Sequence, residues 1–327
     1  MKLTKKALTS IIASAVLLVV IGVALSVYFT WYMHDSKDTE SAYRANVAKV
    51  GYQNTIETAI PQTAIYNAIV AHFNSELPVG KTEKKAIIIG MDGCRADVLT
   101  EMQSSNSIIG TMLQDGASIN LAYCGGVNYP EKNTQDTSTA PGWCSILTGV
   151  WATEHGITGN DISKDMSTKI LHTSLTEQKI IDSAVFNTKW AGHFSRKNAT
   201  YLNEKQYAED NNLPIAYNKY KNNEVMLEET IAELRNPNCA DFTFVIYEPT
   251  DAAGHGYGFT INNPRYKNAF IQGDDYGYQT LCTIKARETF AQEDWLVIVT
   301  SDHGGYGIEH GEDSIQERMT FIVANRY

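Results

Sequence analysis

Three aspartates in this chain stand directly after short apolar runs, and histidines follow two of them closely. Ala86-Ile-Ile-Ile-Gly-Met leads into Asp92, Phe242-Thr-Phe-Val-Ile-Tyr-Glu-Pro-Thr into Asp251, and Trp295-Leu-Val-Ile-Val-Thr-Ser into Asp302-His303. His255 lies four residues beyond Asp251 in Asp-Ala-Ala-Gly-His, a spacing that can place both side chains on one side of a turn. His310 follows a Gly-Gly-Tyr-Gly bend. One aspartate after a strand is ordinarily a helix cap. Three on one edge form a cluster of like charge that needs a counter-cation. Mixed imidazole and carboxylate donors suit zinc best among common divalent ions, with manganese or iron less suited. Six such groups are too many for one tetrahedral zinc and about right for two.

A fourth element is Thr137-Ser-Thr-Ala-Pro-Gly-Trp-Cys-Ser-Ile-Leu-Thr-Gly149. Pro141 suits the first turn of a helix and Gly149 its stop, which puts Thr139 at or just before the helix N-terminus. Unpaired N–H groups and the positive dipole end favour an oxyanion there. Alone, Thr139 reads as a cap; beside two metals it reads as a metal-activated nucleophile.

Elements must bring these groups together. The apolar runs Ala86–Gly90, Phe242–Tyr247, Trp295–Thr300 and Met319–Ala324 are rich in β-branched or aromatic residues, with helical stretches such as Val225–Arg235 between them. This alternation predicts an α/β domain with a largely parallel, buried sheet. In such sheets the carboxyl ends of the strands open onto the ligand crevice, where the three aspartates would converge. Residues 34–84 read as a stalk that becomes helical, with Ala64, Ile65, Ala68, Ile69, Ala71 and Phe73 spaced for one apolar face, and residues 85–327 as the catalytic domain.

At the other end, Ile11 to Tyr32 is apolar apart from Ser14, Gly22, Ser26 and Thr30, enough to cross a bilayer. Lys2, Lys5 and Lys6 precede it and Asp35, Asp38 and Glu40 follow, so residues 1–33 read as a cytoplasmic tail and signal anchor in the cell membrane, with the bulk of the chain extracytoplasmic. A cleaved signal peptide is the competing reading; its apolar core is ordinarily shorter. The 327 residues are 43% apolar and carry a formal charge of -10, which excludes disorder and argues against a nucleic-acid polymer as partner. Five cysteines without a CxxC spacing exclude a zinc knuckle and leave room for at most two disulfides. Asn198-Ala199-Thr200 is a glycosylation sequon.

In this order the segments resemble the alkaline phosphatase superfamily and, within it, the type I phosphodiesterase/nucleotide pyrophosphatase branch. Met91-Asp-Gly-Cys-Arg95, the stretch from Thr137 to Asn160, Asp251-Ala-Ala-Gly-His-Gly-Tyr-Gly258 and Ser301-Asp-His-Gly-Gly305 carry the resemblance. It implies a three-layer α/β/α sandwich with a mostly parallel sheet. It implies that Asp251, His255 and His310 hold one zinc and that Asp92, Asp302 and His303 hold the other. Thr139 would bridge to the second zinc and attack phosphorus, forming a phosphothreonine that water then hydrolyses. The Asn160 amide and the Thr139 N–H would bind a non-bridging oxygen. His155 matches a structural histidine of the family, and nothing supports ligand roles for His34, His72, His172 or His193.

The chain departs from the family at Ala140, where nucleotide-hydrolysing members usually carry an aromatic residue, at Gly142, where asparagine often stands, and at Phe259, where proline often does. The resemblance therefore implies hydrolysis of phosphodiester or nucleotide pyrophosphate bonds in a small phosphorylated substrate, with phosphomonoesterase or head-group transferase activity as the alternative. Sulfatase is weaker, because the formylglycine context is absent around Thr139 and Trp143. A non-catalytic zinc-binding ectodomain is disfavoured, since every catalytic position is filled. Leu175–Leu234 is the candidate specificity region. Trp143, Trp190 and Tyr257 are candidate pocket aromatics, with core packing the competing expectation.

Overall fold

The computed structural model describes residues 5–35, 37–103, 105–160, 166 and 168–325, and in the first helix it describes the side chains of residues 12–28. The chain runs α1 (Lys5–Asp35), α2 (Glu40–Val50), β1 (Ile60–Pro61), α3 (Ala64–Asn74), β2 (Glu83–Met91), α4 (Ile108–Gln114), β3 (Ser118–Tyr123), α5 (Thr139–Thr148), α6 (Ala152–His155) and α7 (Leu171–Glu177). It continues through β4 (Ala184–Thr188), α8 (Leu202–Asp210), β5 (Ile215–Lys219), α9 (Asn223–Arg235), β6 (Phe242–Tyr247), α10 (Pro249–Tyr257), α11 (Pro264–Lys285), β7 (Glu293–Thr300), α12 (Ile315–Arg318) and β8 (Met319–Ala324).

The strands form one sheet in the order β1-β3-β8-β7-β2-β6-β4-β5. Every neighbouring pair is parallel except the two that involve β8, which runs antiparallel to β3 and β7. The sheet is thus mostly parallel but mixed. Its centre, β2 between β6 and β7, is the part whose carboxyl ends carry the three aspartates.

Alternate side chains of the central strands build two cores. Ile87, Ile89, Val245, Val297 and Val299 pack with Ile109, Met226 and Phe270 of α4, α9 and α11 on one face. Ile88, Phe244, Ile246, Leu296 and Ile298 pack with Ile69, Ile146 and Leu175 of α3, α5 and α7 on the other. Burying each such side chain contributes about 1.5–3 kcal/mol, so helices are needed on both faces and the result is an α/β/α sandwich.

Residues expected as stalk and linker pack on this body. β1 pairs with β3, α3 lays Ile65 and Ile69 into the second core, and α2 buries Tyr43 and Val47 beside Leu121 and Met319. The apolar face read at Ala64–Phe73 is real, but it covers the sheet. Much of Leu175–Leu234 is also framework: β4 is buried throughout and β5 forms the sheet edge, which leaves the loops of that region to line a site. The five cysteines are unpaired, four of them buried.

Among the described residues, no helix is long and apolar enough to cross a membrane. The side chains of Ile11 and of residues 29–32, at the ends of the expected span, lie outside the described residues, as does that of His34. Between them, Ile12, Val16, Leu17, Leu18, Val19 and Val20 are all exposed.

Candidate active site

The sheet edge delivers the expected groups. Asp92 follows β2, Asp302 and His303 follow β7, and Asp251 and His255 stand on α10 one turn apart, with Pro249 in the first turn of that helix. α5 begins at Thr139 after an extended Ser138 and stops at Gly149, whose φ of 75° is a left-handed conformation that favours glycine. His310 arrives on the loop after β7.

The six candidate ligands fall into two sets, Asp251 with His255 and His310, and Asp92 with Asp302 and His303, each set presenting ligand atoms within 4.8 Å of one another. The second set is buried, whereas His255 in the first is well exposed. Thr139 Oγ1 lies at the second set, 3.4 Å from Asp92 Oδ1 and 3.5 Å from His303 Nε2. Asn160 Oδ1 accepts from the Ala140 N–H at 2.8 Å, which fixes the amide at the start of α5 and leaves Nδ2 as its donor.

The three imidazoles share one arrangement. Nδ1 of His255 faces Ile308 O at 2.9 Å, that of His310 faces Thr137 O at 3.1 Å, and that of His303 faces Gly304 O at 2.6 Å. A carbonyl oxygen only accepts, so each Nδ1 carries a proton, and in the neutral imidazole, the form that coordinates a cation, Nε2 presents a lone pair. These lone pairs point at carboxylates: His255 and His310 Nε2 lie 3.4 and 3.7 Å from Asp251 Oδ1, and His303 Nε2 lies 3.4 Å from Asp302 Oδ2. Asp251 Oδ1 and Asp302 Oδ2 are buried and have no hydrogen-bond partner. Lone pairs facing unpartnered carboxylate oxygens repel unless a cation lies between them. Nδ1 held by a main-chain carbonyl is also the usual support of a metal-binding histidine. The residues therefore fit divalent cations.

Electrostatics agree. Burial, then the neighbouring Asp302 and Asp251, pushes the Asp92 carboxyl well above its ordinary range. Burial does the same to Asp302, and it raises Asp251 to about 6. It also holds His303 well below the usual imidazole range, and burial, then the neighbouring His255, lowers His310 to about 4. Crowded carboxylates that resist ionising would be relieved by a cation among them, and a neutral imidazole is the form that coordinates one.

Several supporting residues escaped the sequence reading. Trp143 is buried among core residues as one expectation had it, yet its indole Nε1 donates to Asp92 Oδ2 at 3.3 Å. Gly142 lets α5 approach so closely that a Cβ there would meet Asp302 O at 2.8 Å. Thr137 braces the His310 loop, its hydroxyl donating to Glu312 O at 2.9 Å and accepting from the Gly311 N–H at 3.0 Å. These roles are contacts across the fold, and no local pattern signals them.

Among the described residues, the other histidines behave as structural groups. His155 Nδ1 accepts from the Ile157 N–H at 3.1 Å and its Nε2 meets Ser145 Oγ at 3.1 Å. His72 and His172 each bond a main-chain carbonyl, and His193 is buried among aromatic rings. Tyr257 is exposed under the guanidinium of Arg265, and Trp190 is half-buried.

A mostly parallel α/β sheet with two carboxylate–imidazole clusters beside a helix-borne hydroxyl defines a class of proteins whose sites are shaped to hold divalent cations. Residues 86–319 match the family of type I phosphodiesterases and nucleotide pyrophosphatases, and the chain belongs to that family. It is 25% identical over 248 residues to bis(5′-adenosyl)-triphosphatase enpp4 of Xenopus laevis, an alignment covering 70% of this chain and 49% of that protein. The chain thus spans about half the length of this curated relative. Among solved structures it resembles murine ectonucleotide pyrophosphatase/phosphodiesterase 5 in complex with AMP, with 19% identity, a TM-score of 0.48 and coverage of 68% of this chain and 57% of the other. It also resembles the lipoteichoic acid synthase LtaP from Listeria monocytogenes, with 12% identity, a TM-score of 0.49 and coverage of 79% and 71%.

Proposed function

We propose that this protein is a zinc-dependent hydrolase of phosphodiester bonds, including nucleotide pyrophosphates, that works through a phosphothreonine and is held at the outer face of a membrane by α1. The observation that carries the reading is the position of Thr139 Oγ1 at the first residue of α5, within 3.5 Å of both Asp92 and His303. Family membership supports the reaction type.

Asp251, His255 and His310 would hold one cation, and Asp92, Asp302 and His303 the other. Two divalent cations would lower the pKa of a nearby hydroxyl and clamp the entering and leaving oxygens of an in-line displacement. The chain's own groups do the positioning. Thr139 Oγ1 directs its proton toward Asp92 Oδ1, so a lone pair is left for phosphorus. Attack forms the Oγ–P bond and breaks the bond to the leaving alcohol or phosphate, which departs with a proton. Water then attacks the same phosphorus and restores the threonine hydroxyl. The Thr139 N–H and Asn160 Nδ2 would donate to a non-bridging oxygen as its charge grows, a contribution typically of about 3 kcal/mol per donor. Exposed apolar side chains along α1, three lysines before its apolar stretch and the acidic chain after it support the anchor and the extracytoplasmic placement.

The test uses the full chain and bis-p-nitrophenyl phosphate. Activity should disappear on chelation and return with zinc; unchanged rates after complete metal removal would sink the mechanism. Thr139→Ala should abolish turnover while zinc content stays near wild type, and wild-type rates in that variant would reject the nucleophile.

A further inference from the structure

α1 joins the body of the protein through a very short tether. Asp38 lies three residues beyond Asp35, the last residue of α1, at most about 11 Å of chain. Its carboxylate grips the buried guanidinium of Arg95 in the turn after β2, and the same guanidinium donates to Phe259 O. The Phe259 ring packs edge-on against His255, centroids 5.3 Å apart, and the Phe259 N–H donates to Gly307 O at 2.7 Å. The end of α1 is thus tied, through one arginine, to the carboxyl edge of the sheet beside the more open of the two clusters.

That edge also exposes apolar surface. Outside α1, the large apolar side chains that stand exposed among the described residues are Leu77, Val79, Leu202, Tyr257, Tyr306 and Ile308. Tyr257 is two residues past His255, and Tyr306 and Ile308 lie between His303 and His310, so three of these six border the crevice. Leu77 and Val79 precede β2, whose nine residues put them about 30 Å away at the opposite end of the sheet. The tether at Asp38 therefore selects the crevice edge as the one near the bilayer. Arg265 adds a cation there, its guanidinium 4.0 Å from the centre of the Tyr257 ring. Aromatic rings and cations of this kind settle at the membrane–water interface. Glu309, exposed beside Ile308, disfavours a strongly anionic leaflet and suits a zwitterionic one.

We propose that the rim formed by Tyr257 and Ile308 docks on the outer leaflet of the membrane that α1 enters, so that the substrates are phosphodiesters carried by zwitterionic lipids. The inference rests on the anchored-hydrolase reading above and deepens it. A site held at the surface where its substrate is concentrated gains through effective concentration and needs little affinity for the free head group.

The test uses the full chain with Cys282→Ser, since Cys282 is the exposed cysteine and the other four are buried. Tyr257→Cys, Ile308→Cys and Val79→Cys are made separately in that background, labelled with bimane and reconstituted in phosphatidylcholine vesicles, with or without lipids that carry a head-group nitroxide. The nitroxide should remove most of the fluorescence at the two rim positions and very little in Val79→Cys. Quenching at either rim position well above that in Val79→Cys upholds the docking surface. Weak quenching at both, or equal quenching at all three, in protein that floats with the vesicles would overturn it and leave the anchor standing. Failure to float would reject anchor and docking together. With zinc and the wild-type chain in the same vesicles, hexadecyl p-nitrophenyl phosphate should turn over at least about tenfold faster than methyl p-nitrophenyl phosphate at equal bulk concentration. A ratio near one would reject lipid-borne substrates. If neither diester is cleaved, the hydrolase reading fails, and the quenching alone decides the docking surface.

Discussion

The indole of Trp143 donates to Asp92 across the top of the sheet, Nε1 to Oδ2 at 3.3 Å, so the helix that starts with Thr139 also holds the carboxylate that faces it. The two ends of this contact have opposite environments. The ring packs edge-on against Phe244 at 5.3 Å in the core, while Asp92 sits at the cluster. The donor orients one carboxylate oxygen and leaves the other toward Thr139 and His303.

Trp143→Phe keeps most of the apolar packing and deletes the donor. Outer hydrogen bonds of this kind are typically worth 10- to 100-fold in metal affinity. Chelator competition should therefore show at least about tenfold weaker zinc retention at one of two sites, with far-ultraviolet circular dichroism unchanged. Retention equal to wild type at both sites would reduce Trp143 to packing.

Asp38, just beyond α1, forms a two-pronged ion pair with fully buried Arg95, at 2.6 and 2.9 Å, and Asp97 holds the same guanidinium from the other side. Removing one partner of a buried pair leaves charge uncompensated, at a cost of about 3–5 kcal/mol. Asp38→Ala should lower stability by that order in denaturant titration. A change under about 1 kcal/mol would mean that Asp97 alone satisfies Arg95.

His193 is fully buried, both ring nitrogens lack a hydrogen-bond partner, and burial holds its pKa at about 3. The unfolded chain takes up that proton near pH 6.5, so below this value the unfolded state binds more protons and stability falls with pH, by up to about 1.4 kcal/mol per unit, until about pH 3. His193→Phe removes this contribution. The urea midpoint of the variant should fall less steeply than that of the wild type between pH 6.5 and 4; parallel profiles would show that His193 does not stay neutral in the folded state.

Local signals in the sequence determined a good deal. β2, β6, β7 and β8 are continuous apolar runs, α5 is bounded by Pro141 and Gly149, and the carboxylates follow the runs that end at the crevice; each is a property of a few neighbouring residues. β4 and β5 were illegible because Ala184–Thr188 contains only three apolar residues before Asn187 and Thr188, and its burial comes from lying against β6. The strand order, the antiparallel β8, and the attachment of residues 38–74 to the sheet were also decided by tertiary structure alone. These depend on partners far along the chain, as Asp38 and Arg95 show at a separation of 57 residues. The same holds for the site. Residue type and spacing singled out the six candidate ligands and Thr139, whereas the ring nitrogen each histidine turns to a carboxylate and the indole on Asp92 exist only where distant segments meet.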